Sequence, residues 1–103
     1  MADPMRIRAR IKDGTADIRV LMAHEMETGQ RKDSKGELVP AWHITEVEAM
    51  LNGKSVLKAY WGPGISKNPY LAFKLPNAKK GDKLTIKWID NKGDSRTDDT
   101  TVG

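Results

Sequence analysis

Of two histidines, His24 opens the segment HEMETGQRKDSKGELVP, which runs to Pro40, and His43 follows it. Histidine is the side chain best suited to acid–base work near neutral pH, so these two positions are where catalysis would be sought first. No Gly-x-Ser-x-Gly, Walker or dinucleotide-binding motif accompanies them, and both read as ordinary strand-end residues rather than as a catalytic pair. A second chemistry is written around the same point. Met22, His24 and Met26 lie close together with Glu25 and Glu27, and thioether plus imidazole suits Cu(I). That pattern is the basis of an alternative function, a small periplasmic Cu(I)-binding metallochaperone-like β-protein. Met22, however, falls on an inward face by alternation and reads better as core packing, so no metal and no cofactor is assigned. A third chemistry is electrostatic. Arg6, Arg8 and Arg10 line one face of the first predicted strand, as a nucleic-acid surface would require, but elsewhere bases and acids are interspersed. A solvated strand face is the simpler reading, and nucleic acid is not assigned as a partner.

Composition narrows the field. The chain has 103 residues and no cysteine, with a net charge of +4. One domain, 1–103, follows from the length. The missing thiols exclude disulfides, thiolate zinc sites, a cysteine nucleophile and any thiol-borne carrier chemistry. No apolar run is long enough to span a bilayer as a helix, and MADPMRIRAR has neither an apolar h-region nor a cleavage site.

The elements that must position these residues alternate with period two. Met5, Ile7, Ala9 and Ile11 oppose Arg6, Arg8, Arg10 and Lys12, and residues 15–23 put Ile18, Val20 and Met22 on one face. Asp13-Gly14, Asn52-Gly53 and Asp90-Asn91-Lys92-Gly93 are turn signals. Residues 42–51, 55–61, 69–75, 83–90 and 94–102 complete seven predicted strands, the last polar and on an edge. The expectation is an all-β, immunoglobulin-like antiparallel β-sandwich of about seven strands. Its core should hold Val20, Val47, Leu51, Leu71, Phe73, Leu84, Ile86 and Trp88. The same alternation places Trp42, Ile44, Met50, Trp61 and Tyr70 on outward faces. Too many large apolar side chains on a wet face mark a partner-binding surface, and these five are the candidates.

Four motifs carry a resemblance. The run His24-Glu25-Met26-Glu27-Thr28-Gly29-Gln30-Arg31-Lys32-Asp33, followed by a glycine-containing spacer and Pro40, is similar to the signature of the SoxZ family. Leu51-Asn52-Gly53 resembles that family's hairpin, Ile65-Ser66-Lys67-Asn68-Pro69-Tyr70 its I-S-x-N-P-Y motif, and Trp88-Ile89-Asp90-Asn91-Lys92-Gly93 its W-x-D-x-x-G motif. The match runs in register over about residues 20–93 and departs from the family pattern at residues 41–47. It implies a non-enzymatic subunit of the SoxYZ sulfur carrier of bacterial thiosulfate oxidation. In that family SoxY carries sulfur intermediates on a cysteine in a mobile C-terminal arm. SoxZ pairs with it and helps present the arm to the enzymes of the cycle. It also implies a periplasmic location reached by co-export with SoxY. The motif loop is expected to act through His24, Met26, Glu27, Thr28, Gly29, Arg31 and Lys32. Thr28-Gly29 and Ser34-Lys35-Gly36 read as local turns that make it a structured hairpin tip. Arg31 and Lys32 are placed to meet acidic groups or anionic cargo.

Overall fold

A computed structural model describes residues 3–103, so the first two positions of the N-terminal segment lie outside the described residues. It contains strands β1 (Arg6–Lys12), β2 (Thr15–Leu21), β3 (Ile44–Leu51), β4 (Lys54–Tyr60), β5 (Tyr70–Pro76), β6 (Lys83–Asp90) and β7 (Ser95–Thr101), and no helix among the described residues. They form a small sheet of order β1-β2-β5 and a large sheet of order β4-β3-β6-β7. Every pairing is antiparallel. This is the expected immunoglobulin-like sandwich.

The two sheets meet through the inward side chains of alternating strands. Ile18 and Val20 come from β2, Val47 and Ala49 from β3, and Leu84, Ile86 and Trp88 from β6, all at 1% exposure or less. Register places Val47 opposite Trp88 and Ala49 opposite Ile86, so small and large residues face each other across one layer. Leu51, Leu71 and Phe73 pack against this core from its margin, half-buried, because β5 is an edge strand and Leu51 ends β3. The β3–β4 turn has Asn52 and Gly53 at φ of 52° and 85°, the paired positive values that a tight hairpin demands.

The sandwich closes on one side only. Gly103 exchanges backbone hydrogen bonds with Ala9 and Ile11 at 3.0 and 2.8 Å, and the Met5 N–H donates to Asp98 Oδ2 at 2.9 Å, tying the β1 and β7 margins together. On the other side β4 and β5 are the outer strands of their sheets.

Not every outward assignment holds: Trp61, next to the exposed Tyr60, packs half-buried against the core. Ile44, also expected outside, is fully buried. The β3–β6 register slips between Ile44 and Glu46. A bulge places one extra residue on its strand and inverts the alternation beyond it. Ile44 and Val47, three apart, therefore both point inward.

Candidate functional site

The motifs converge on one buried point. His24 follows β2 and is 6% exposed. Its backbone is pinned on both sides by Asn68, whose Oδ1 accepts the His24 N–H at 3.1 Å and whose own N–H donates to the His24 carbonyl at 2.9 Å. Asn68 holds φ at 52°, a left-handed conformation that asparagine tolerates better than most residues, and Pro69 then starts the chain toward β5. The imidazole Nδ1 accepts the Met26 N–H at 3.1 Å. The proton therefore sits on Nε2, which donates to Asp90 Oδ2 at 3.0 Å.

Asp90 ends β6 and is 3% exposed. Its Oδ2 also accepts Trp42 Nε1–H at 2.8 Å, and its Oδ1 accepts the backbone N–H groups of Lys92 and Asp94 at 3.0 and 2.9 Å. Burial pushes this carboxyl upward, but the bonds from His24, Trp42, Asp94 and Lys92 outweigh it and hold the group below its ordinary value. The rings complete the knot. His24 meets Trp88 edge-on at 5.0 Å and Trp42 at 5.2 Å, and Lys92 Nζ lies 4.3 Å from the centre of the Trp42 ring. Both His24 nitrogens are occupied, Met22 is fully buried, and the Met26 sulfur accepts the Ile44 N–H at 3.3 Å. The Cu(I) reading finds no free donor set in this trio.

From the knot the chain leaves as a short arm. Glu27 and Trp42 bridge through reciprocal backbone bonds of 2.6 and 3.0 Å, and Lys32 pairs with Leu38 further out. The tip is closed by Asp33 Oδ1, which accepts the N–H groups of Lys35 and Glu37. Thr28 Oγ1 caps the Gln30 N–H at 3.0 Å. The structured hairpin tip is thus present. Gly29 is required twice over: its φ is +88°, and a Cβ there would sit 3.1 Å from the Ala41 Cβ. Arg31 grips Glu27 with three hydrogen bonds of 2.7 to 3.1 Å. The bond to Arg31 draws the Glu27 carboxyl below its usual range. Arg31 therefore braces the arm from within, whereas Lys32 stands exposed.

The five apolar candidates do not form one patch. Trp42 is half-buried in the knot, Ile44 is core, and Trp61 is half-buried against the core. Met50 is on the outer face of the large sheet, and Tyr70, 57% exposed, is on the outer face of the small one. The large sheet's outer face supplies what the sequence reading missed. Tyr60 is paired with Glu46 and 75% exposed. Glu46 in turn faces Ile89, and Val56, 40% exposed, lies at the bulge beside Met50. Alternation within KSVLKAY put Val56, Lys58 and Tyr60 on one face and was the available signal. The charges of this face balance: Lys58, Lys83 and Lys87 stand beside Glu46, Glu48 and Asp99.

These features define a small cysteine-free immunoglobulin-like sandwich, braced where its motifs meet by a buried His–Asp–Trp knot. Among the described residues no cluster of three or more His, Cys, Asp or Glu side chains is placed to hold a metal ion. The family model for the sulphur oxidation protein SoxZ matches residues 5–101, and the chain belongs to that family. Its role lies in sulfur oxidation. No curated protein matches the chain.

Proposed function

We propose that the chain is the non-catalytic subunit of a SoxYZ sulfur carrier, pairing with SoxY and helping present its cysteine-bearing arm to the enzymes of the cycle. The observation that carries this reading is membership of the SoxZ family by a chain without cysteine. A carrier that holds sulfur covalently on a thiol needs that thiol from elsewhere, so the cargo rides on the partner. The surface for SoxY is the charge-balanced outer face of the large sheet, with Met50, Val56, Tyr60 and Ile89 as its apolar content. A neutral face with an aromatic anchor suits a durable interface, since unpaired charge is costly to bury there. The arm from Glu27 to Trp42, held rigid at its base, is a second contact. Location in the periplasm by export together with SoxY belongs to the same proposal.

Calorimetric titration of purified SoxY into the chain tests it. A one-to-one complex is expected, weakened at least tenfold by Tyr60→Ala, as aromatic interface anchors commonly cost about 1.4 kcal/mol or more when truncated. Absence of binding by the folded chain overturns the reading.

A further inference from the structure

The small sheet's outer face is built differently. Arg6, Arg8, Arg10 and Lys12 of β1 all point outward, and register sets Leu21, Arg19, Asp17 and Thr15 of β2 beside them in that order. β5 adds Tyr70, Ala72 and Lys74 beside Leu21, Arg19 and Asp17. Six cations thus share three strands with one acid, Asp17, while the opposite face of the sandwich is balanced. The face alone carries more positive charge than the +4 of the whole chain. Arg8 and Arg19 stand directly opposite one another, a like-charge pairing that destabilises a sheet. Asp17 answers Arg19 at 3.4 Å, but Arg6, Arg8, Arg10, Lys12 and Lys74 have no ion pair among the described residues. Two shallow troughs lie on this side. One of about 860 Å³ runs along Lys12, Arg19 and Lys74, with Asp13 and Asp17 in its lining, and a second of about 380 Å³ lies between Arg6, Arg8, Arg19 and Tyr70.

We infer that this face is a docking site for an acidic protein surface, separate from the face proposed for SoxY and open while SoxY is bound. Four of its six cations are arginines, whose planar forks match carboxylates in pairs. Tyr70 and Leu21, 57% and 41% exposed and cross-strand neighbours, set an apolar anchor beside Arg6. Arginine and tyrosine around such an anchor are what protein interfaces enrich. A nucleic-acid track asks for several interleaved aromatic rings and an unbroken basic path. Here the aromatic is a single ring at the sheet edge, and Asp17 interrupts the path between Arg10 and Lys74. A carboxylate there repels a continuous run of phosphates but leaves room for discrete acidic side chains. An unpaired basic face of this kind raises the rate of encounter with an acidic partner and lets it leave again, as a component visited by successive enzymes requires.

The test uses the full chain labelled with ¹⁵N, a twenty-residue poly-glutamate as the probe, a twenty-nucleotide single-stranded DNA, and phosphatidylglycerol vesicles. Poly-glutamate is expected to shift the amides of β1, β2 and β5 and leave those of β3 and β4 in place. Binding should fall at least tenfold between about 50 and 300 mM salt. The double variant Arg6→Glu, Arg8→Glu should lose at least tenfold in affinity. It is expected to fold, since the new carboxylate at position 8 faces Arg19. Lys35→Glu with Lys54→Glu, the same change in net charge elsewhere, should lose less than threefold. Tighter binding of the DNA or the vesicles than of poly-glutamate overturns the inference, as does equal loss in both double variants. Repeating the titration on the chain bound to SoxY separates the two proposals. Retained poly-glutamate binding is the expected result. Its loss, with SoxY affinity also falling in the Arg6→Glu, Arg8→Glu variant, assigns the face to SoxY and overturns the inference. A chain that binds poly-glutamate on this face and never pairs with SoxY leaves the inference standing and removes the SoxY proposal.

Discussion

Replacing Asp90 by alanine strikes the point where the motifs meet. The carboxylate accepts four hydrogen bonds at 2.8 to 3.0 Å. Two of these come from the backbone of Lys92 and Asp94 at the β6–β7 turn, where water can take over. The other two come from His24 Nε2 and Trp42 Nε1. Their donors remain after the substitution, His24 only 6% exposed and Trp42 half-buried, with nothing to accept from them. Each orphaned buried donor costs roughly 1–3 kcal/mol, so the pair costs about 4 kcal/mol. A domain of this size has roughly 5–15 kcal/mol in all, and each kcal/mol moves its midpoint by about 4–8 °C. Thermal melting followed by near-ultraviolet circular dichroism, which reports the tryptophans, should therefore fall by about 20 °C. Asp90→Asn keeps the shape but turns an amide toward donors, and should lose about half as much. Trp42→Ala should also lower the midpoint, since Asp90 loses a donor and His24 a ring contact. A drop below about 5 °C for Asp90→Ala would show that the knot is not what braces this end of the sandwich.

Gly29→Val forces a β-branched residue to φ of +88° and into the Ala41 Cβ. It should cost roughly 2 kcal/mol, disorder the arm in hydrogen exchange while sparing β3 and β6, and weaken SoxY binding. Ile44→Ala should destabilise by about 2–5 kcal/mol as a core truncation, whereas Tyr60→Ala should leave the melting midpoint within about 3 °C; urea unfolding of both variants distinguishes core from surface. Asp90, Asp82 and Asp98 all have carboxyls held below the ordinary 3.8. Burial opposes the shift at Asp90, where His24 and Trp42 prevail; the backbone of Lys79 leads at Asp82 and Arg96 at Asp98. Depressed native values mean stability that is fully present above about pH 4 and lost as pH falls through the lower native values. Urea midpoints measured from pH 7 to pH 2 should be flat to about pH 4 and then fall, less steeply in Asp90→Asn.

The strands were legible because burial on one face writes itself as alternation, and because Asn52-Gly53 and Asp13-Gly14 supply the positive φ values that hairpins need. Ile44 was misread because a bulge leaves no mark in composition: one extra residue near position 45 turns every side chain before it over. The knot was legible only as separate strings. His24, Asn68 and Asp90 stand 44 and 66 positions from their partners in the chain, and no local pattern reports contacts formed by strands in different sheets. His24 consequently read as a strand end and Arg31 as a side chain for acidic groups or anionic cargo, and neither the bond from His24 to Asp90 nor the grip of Arg31 on Glu27 was visible. The basic face was half visible. Arg6, Arg8 and Arg10 alternate along one strand, but Arg19 and Lys74 join them only through register across β2 and β5.

The central claim is that this chain serves sulfur oxidation by holding a carrier subunit and not by bearing sulfur itself. Native mass spectrometry of the chain isolated with SoxY from cells oxidising thiosulfate tests it most directly. The account predicts a one-to-one complex in which sulfur-containing mass increments reside on the cysteine-bearing subunit and this chain keeps its unmodified mass. A chain recovered without SoxY, or one carrying the sulfur increments itself, would contradict it.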